Sequence, residues 1–274
     1  MENNNLSKLS YGSLILSSKL QEDISQSTDI INYVLDSGIN IIDTAYYYGK
    51  NSDDIGSNER FLSQILGDRI KELNIATKGG YYLKNNVSVI NNKKEFLIDS
   101  CNLSLKNLNL DQIYLYQLHV FDKNESIDNI TDTINFLKNE NKIKYFGLSN
   151  IELMELHNFN QKSQIYSVQN KFNPFFQKDL KTGFLEYCKD NNIIYFAYGI
   201  FNKNNNTLLD NLLNDLSKKY NTSSEIISLL WIKSKGKHII PIISSTKKEN
   251  INKCIFSYNN LNLDEEDILR IDRI

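Results

Sequence analysis

Ile41-Ile42-Asp43-Thr44-Ala45-Tyr46-Tyr47-Tyr48-Gly49 is a short apolar run that stops at a carboxylate and passes into a tyrosine-rich turn closed by glycine. An isoleucine-rich run of this length reads as a strand covered on both faces. The strand spans 39–45, and seven further runs share its form: 11–15, 74–78, 112–119, 144–149, 165–169, 193–198 and 238–243. Stretches with helical spacing lie between them, at 29–37, 59–73, 94–108, 127–139, 180–191, 208–220 and 225–235. Ser223 or Ser224 is available as N-cap for the last of these. Eight strand–helix units in 274 residues give about 34 residues per unit, the arithmetic of a (β/α)8 TIM barrel, an α/β fold. The competing doubly wound sheet would carry G-x-G-x-x-G after its first strand. Tyr11-Gly12-Ser13-Leu14 is not that fingerprint, and no other segment supplies it. One barrel domain over 1–274 is expected.

Composition narrows the function. Hydrophobic residues make up 41% of the chain and charged residues 23%, enough apolar material for a large core. The formal net charge of −2 lacks the basic excess of a nucleic-acid binder, so no nucleic-acid partner is expected. Three widely spaced cysteines, Cys101, Cys188 and Cys254, suit a reducing, cytoplasmic compartment rather than a disulfide framework. The opening residues Met1-Glu2-Asn3-Asn4-Asn5 lack the apolar core of a secretory signal. No apolar run approaches a membrane span, and no metal site is expected. The sequence does not specify an oligomeric state.

In a barrel, chemistry gathers at the C-terminal ends of the strands. There the sequence places Asp43 and the tyrosines after strand two, Lys78 after strand three and His119 after strand four. A lysine beside a phenol favours the phenolate and so lowers its pKa. Asp43 can keep that lysine charged in a dry pocket. A neutral imidazole can donate one N–H to a carbonyl oxygen and orient it. Together the four groups suit proton delivery to a carbonyl that is being reduced. His157 and His238 read as structural. The polar loop 50–57, with Asp53 and Asp54, and the aromatics Tyr81, Tyr82 and Phe121 are candidates for the walls of the mouth.

Asp43-Thr44-Ala45-Tyr46-Tyr47-Tyr48-Gly49 resembles the D-T-A-x-x-Y-G motif of the aldo-keto reductases, and Thr77-Lys78 and Leu118-His119 match that family's strand-end lysine and histidine. The resemblance implies a TIM barrel that reduces an aldehyde or ketone, sugar-type compounds among the candidates, with NADPH or NADH. Tyr48 would be the general acid, Lys78 and Asp43 would tune it, and His119 would position the carbonyl. Gly147-Leu148-Ser149-Asn150 and Gln169-Asn170-Lys171-Phe172-Asn173 are similar to segments that hold the nicotinamide carboxamide, which implies Ser149, Asn150 and Gln169. Phe196-Ala197-Tyr198 resembles the segment whose aromatic stacks on the nicotinamide, here Tyr198. Ser13 falls in a first-strand turn that touches cofactor. The 241–250 segment resembles the cofactor-phosphate segment, implying Ser244, Ser245, Thr246, Lys247 and Asn250. Asn250 stands where many members have an arginine for the 2′-phosphate, and it lacks the charge and the fork of a guanidinium. The preference between the two cofactors is therefore open.

Two other readings use the same residues. The barrel could bind a nucleotide without catalysis, as a regulatory protein. Alternatively, Lys78 could form a Schiff base, as barrel aldolases do, which leaves Tyr48 and the Ser149, Asn150 and Gln169 group without a task.

Overall fold

A computed structural model describes residues 6–20, 23–49, 54–85 and 87–274. The first half runs β1 (Ser10–Gly12), α1 (Leu14–Lys19), α2 (Ile24–Asp36), β2 (Ile41–Asp43), α3 (Ser57–Leu66), a 3-10 turn (Gly67–Glu72) and β3 (Asn74–Gly79). A hairpin follows, β4 (Tyr81–Lys84) and β5 (Val87–Ile90), and then α4 (Lys94–Leu108), β6 (Ile113–Leu118) and α5 (Ile127–Asn139). The second half runs β7 (Ile143–Ser149), α6 (Leu153–Lys162), β8 (Ser167–Lys171), α7 (Lys178–Lys181), α8 (Phe184–Asp190), β9 (Ile194–Tyr198) and α9 (Thr207–Lys219). It closes with α10 (Ser224–Ser234), β10 (Ile239–Ile243), α11 (Lys248–Asn260) and α12 (Glu265–Asp272).

Eight parallel strands close in the order β1-β10-β9-β8-β7-β6-β3-β2, with β1 pairing back onto β2. All eight expected strands are present. The first is shorter than its apolar run, because Leu14 and Ile15 turn into α1. The expected 59–73 helix breaks at Gly67 into α3 and a 3-10 turn, and the 180–191 helix is divided into α7 and α8 around Gly183. The β4–β5 hairpin was not anticipated, although Tyr81–Lys84 and Val87–Ile90 flank a pair of asparagines, the kind of residue that accepts hairpin-turn backbone. Of the polar loop 50–57, residues 50–53 lie outside the described residues, as does the amino-terminal segment 1–5.

The strands alternate with period two. Ile41, Ala76, Leu115, Phe196, Ile240 and Ile242 point inward and form a small core inside the barrel. Ile42, Ile75, Tyr116, Val168, Ile239 and Ile243 point outward, into the larger core beneath the helices. Counting two residues toward the C-terminal end from the inward Ile41, Ala76 and Leu115 reaches Asp43, Lys78 and Gln117. The apolar filling thus gives way to a polar layer at that end.

Adjacent residues of α3 brace the strand tips from outside. Asn58 is fully buried. Its Oδ1 accepts from Thr44 Oγ1 at 2.6 Å and lies 2.7 Å from Ser13 Oγ, while its Nδ2 donates to Ser13 O and Ser17 Oγ at 3.0 and 2.7 Å. Glu59, equally buried, accepts from Thr77 Oγ1 at 2.7 Å and from Asn107 Nδ2 at 3.1 Å. Burial lifts its carboxyl above the ordinary range against these hydrogen bonds.

Substituting Asn58→Ala would strand several buried donors and acceptors at once. The expected loss is about 3 kcal/mol of unfolding free energy, read as a lower urea midpoint. A shift near zero would show that water replaces the amide at no cost.

Candidate active site

Lys78, 2% exposed, ends the inward row of β3. Its ammonium donates to both Asp43 carboxylate oxygens at 2.8 and 2.9 Å and to the Thr44 carbonyl at 2.8 Å. Tyr48 Oη lies 3.5 Å from the same nitrogen, a weaker contact, with the ammonium 5.1 Å from the ring centroid. Asp43 also accepts from Gln169 Nε2 at 3.1 Å, and Gln169 Oε1 accepts from Gln117 Nε2 at 2.9 Å. The four residues proposed from strand ends two to four do converge, since His119 packs 6.0 Å from the Tyr48 ring.

Environment sets the protonation states. Burial first, and then the Asp43 carboxylate, lift the Tyr48 phenol well above its ordinary range. Burial and the Asp43 charge outweigh the acidification expected from Lys78. The ammonium is committed to Asp43, and the phenol is a neutral proton donor at pH 7. His119 is held well below its ordinary value, by burial first and then by the Lys78 charge. Its ring sits among Tyr47, Tyr48 and Tyr81 at centroid distances of 5.5, 6.0 and 5.3 Å. Its buried Nδ1 finds no hydrogen-bond partner among the described residues.

A family model, described as the aldo/keto reductase family, matches residues 8–274. The chain belongs to the aldo/keto reductase family. Members are oxidoreductases, and this chain's relatives carry such names. Aldo-keto reductase YhdN of Bacillus subtilis is 31% identical over 183 residues, 65% of this chain and 52% of that protein. The match therefore spans about half the length of that relative. Probable aldo-keto reductase 1 of Glycine max is 24% identical over 97% of this chain and 84% of its own. Among solved structures, a thermostable aldo-keto reductase in complex with the inhibitor epalrestat superposes with a TM-score of 0.83 at 21% identity, covering 98% of this chain and 95% of its own. An aldo/keto reductase from Klebsiella pneumoniae in complex with NADP and acetate gives 0.80 at 15% identity, with 98% and 91% covered.

In this aldo/keto reductase the expected cofactor residues fall into four groups. Ser13 is fully buried, with Oγ 2.8 Å from Asp43 O and 2.7 Å from Asn58 Oδ1. Its hydroxyl is engaged within the fold, at the turn between the first strand and α1. Ser149, Asn150, Gln169 and Tyr198 form one connected rim. Ser149 Oγ donates to the Gln169 carbonyl at 2.9 Å, Asn150 Nδ2 donates to His119 O at 3.0 Å, and Tyr198 Oη donates to Asn150 Oδ1 at 2.6 Å. The Gln169 amide is engaged at both ends, by Asp43 and by Gln117.

Ser244, Ser245 and Asn250 line a cavity of about 410 Å³ beyond β10, with α10 and α11 at its sides. Ser244 Oγ donates to Gly12 O at 2.9 Å, and Ser245 Oγ accepts from the Lys247 backbone amide at 3.1 Å, shaping the turn into α11. Thr246 and Lys247 line a separate hollow against α2. Of the three wall aromatics, only Tyr81 touches the site. Tyr82 packs on Phe96, and Phe121 packs on the buried Phe159. Sequence reasoning passed over Gln117, Asn58 and Glu59. A polar residue at an inward strand position and two consecutive polar residues opening an amphipathic helix were the available signals.

A neutral His119 makes stability depend on pH. The unfolded chain binds a proton near pH 6.5 and the folded one does not, so acidification below that point favours unfolding. Between pH 7 and 5.5 this group should cost about 1 kcal/mol, measured as a fall in urea midpoint. His119→Asn should remove that share and leave the contribution of His238, which burial also holds below its ordinary value. An unchanged pH profile in the variant would contradict the assignment.

Proposed function

We propose that this chain reduces the carbonyl group of an aldehyde or ketone, sugar-type compounds included, to an alcohol, with a nicotinamide dinucleotide as cofactor. The observation that carries this reading is the neutral Tyr48 phenol held 3.5 Å from an ammonium that Asp43 keeps buried and paired. When bound, the reduced nicotinamide supplies the hydride that the carbonyl carbon accepts. Tyr48 gives its hydroxyl proton to the carbonyl oxygen. The phenolate left behind gains from the Lys78 charge, which stabilises it far more than the neutral phenol. The site therefore acts at the point where charge develops. His119, uncharged, donates one ring N–H to the same oxygen and competes for no proton. Asn150 and Tyr198 on the rim offer an amide and an aromatic face suited to a nicotinamide, and Ser244, Ser245 and Asn250 line space for the far end of a dinucleotide.

Family membership supports this reading, as does a fold shared with a protein in complex with NADP and with one described as a glycerol dehydrogenase, from Gluconobacter oxydans. The Schiff-base alternative fits less well. The Lys78 nitrogen already meets two carboxylate oxygens and a carbonyl within 2.9 Å, so its contacts are taken up within the fold rather than left for a substrate carbonyl.

Tyr48→Phe should lower kcat for an aldehyde by at least about 10³-fold, through loss of the proton donor. The dinucleotide Kd, measured by calorimetry, should stay within about threefold, because the hydroxyl acts on the substrate. Retained turnover would overturn the role of Tyr48. Dinucleotide binding by the unaltered protein without turnover across aldehydes, ketones and sugars would favour the non-catalytic reading.

A further inference from the structure

The cavity beyond β10 combines a loop after the seventh barrel strand, through Phe201, with the turn after the eighth, through Ser244 and Ser245. In barrels of this class, that pair of loops is the common seat of a ligand's phosphate. If the reductase reading above is right, the adenosine half of the dinucleotide occupies this cavity.

The charges around it are unequal to a second phosphate. Among the described residues no arginine lines it. Arg60 pairs with Asp54, Arg69 with Asp36 and Arg270 with Asp267. Arg273, the C-cap of α12, does not reach the lining either. Asn250, at the α11 side, offers a neutral amide. The lysines that follow β10 face the other way. Lys248 pairs with Asp29 of α2 at 2.6 Å, and with Lys247 it lines the separate hollow there. One cation, Lys253, remains on the cavity wall, opposed by one carboxylate, Glu225, in the first turn of α10. Burial acts to raise the Glu225 carboxyl. Its own backbone amide and Ser223, with Lys203 and Lys253 nearby, overcome that and hold it below the ordinary range, so it is anionic at pH 7. A helix N-terminus favours that charge.

A carboxylate accepts a hydrogen bond from a ribose 2′-hydroxyl, whereas a 2′-phosphate requires a cationic fork in its place. We infer that this cavity selects the dinucleotide lacking the 2′-phosphate, NAD(H), and that Glu225 is the residue that discriminates. The selection arises from two sources. Asn250 provides no guanidinium for the phosphate, and Glu225 repels it while accepting from the hydroxyl.

Titration calorimetry of the full chain with NAD+ and with NADP+ tests this without reference to turnover. The unaltered protein should bind NAD+ at least about tenfold more tightly, given the cost of juxtaposed like charges. Glu225→Gln should weaken NAD+ and strengthen NADP+, narrowing the ratio at least about threefold, and adding Asn250→Arg should bring NADP+ level with NAD+ or ahead of it. NADP+ binding as tightly as NAD+ to the unaltered protein would overturn the inference and leave the reductase reading intact. A preference for NAD+ that survives Glu225→Gln unchanged would overturn the role of Glu225. Binding of neither dinucleotide to a folded protein would overturn the reductase reading and this inference with it.

Discussion

The pairing of Lys78 with Asp43 inside the mouth of the barrel is the contact on which the rest of the site depends. Removing two charges from water costs several kcal/mol per ion, and their attraction repays it only with good geometry and satisfied hydrogen bonds. Both conditions hold here. The contact is bidentate, the third ammonium donor is taken by the Thr44 carbonyl, and Asp43 has a further donor in Gln169. The pair follows directly from strand alternation. The inward rows of β2 and β3 are apolar at Ile41 and Ala76 and turn polar one step later. A charged pair lower in the barrel would be set among Ile41, Ala76, Leu115, Phe196 and Ile240. At the C-terminal end it meets amides, a phenol and an imidazole.

Holding such a pair requires strand tips that do not shift, and α3 supplies the restraint. Consecutive helical residues face different directions, so Asn58 and Glu59 reach different strands. Asn58 ties the β1 and β2 ends together, while Glu59 grips Thr77, whose neighbour Lys78 points to the opposite side of the strand. The two carriers of the ion pair are therefore braced from behind by one turn of one helix. Glu59 has no cation at hydrogen-bonding distance among the described residues, and its raised pKa is the electrostatic cost of that arrangement.

The site's polarity also bears on the proposed role of Tyr48 as the acid. A phenol that is buried, near a carboxylate and already above its ordinary pKa does not lose its proton at rest. The positive charge beside it acts only once the proton has gone. In the proposed mechanism the two effects are divided: burial protects the neutral phenol at rest, and the ammonium favours the product of proton transfer.

Much of this was legible in the chain itself. Eight isoleucine-rich runs spaced by helical patterns define a barrel because hydrophobic period is a local property, and Asp43, Lys78 and His119 stand out because each falls at the end of such a run, whereas Tyr48 is singled out from its two neighbouring tyrosines by the resemblance to the D-T-A-x-x-Y-G motif. What each polar group does with its hydrogen bonds was decided only in three dimensions. Ser13 meets Asn58 across 45 residues and Gln169 meets Asp43 across 126, so groups that the family resemblance assigns to a cofactor also hold the site together. Likewise, Lys248 is drawn off by Asp29, and Glu225 joins Asn250 at one cavity, through packing of helices distant in sequence. Periodicity along a chain dictates which face a residue takes, whereas the partner waiting on that face depends on closure of the barrel.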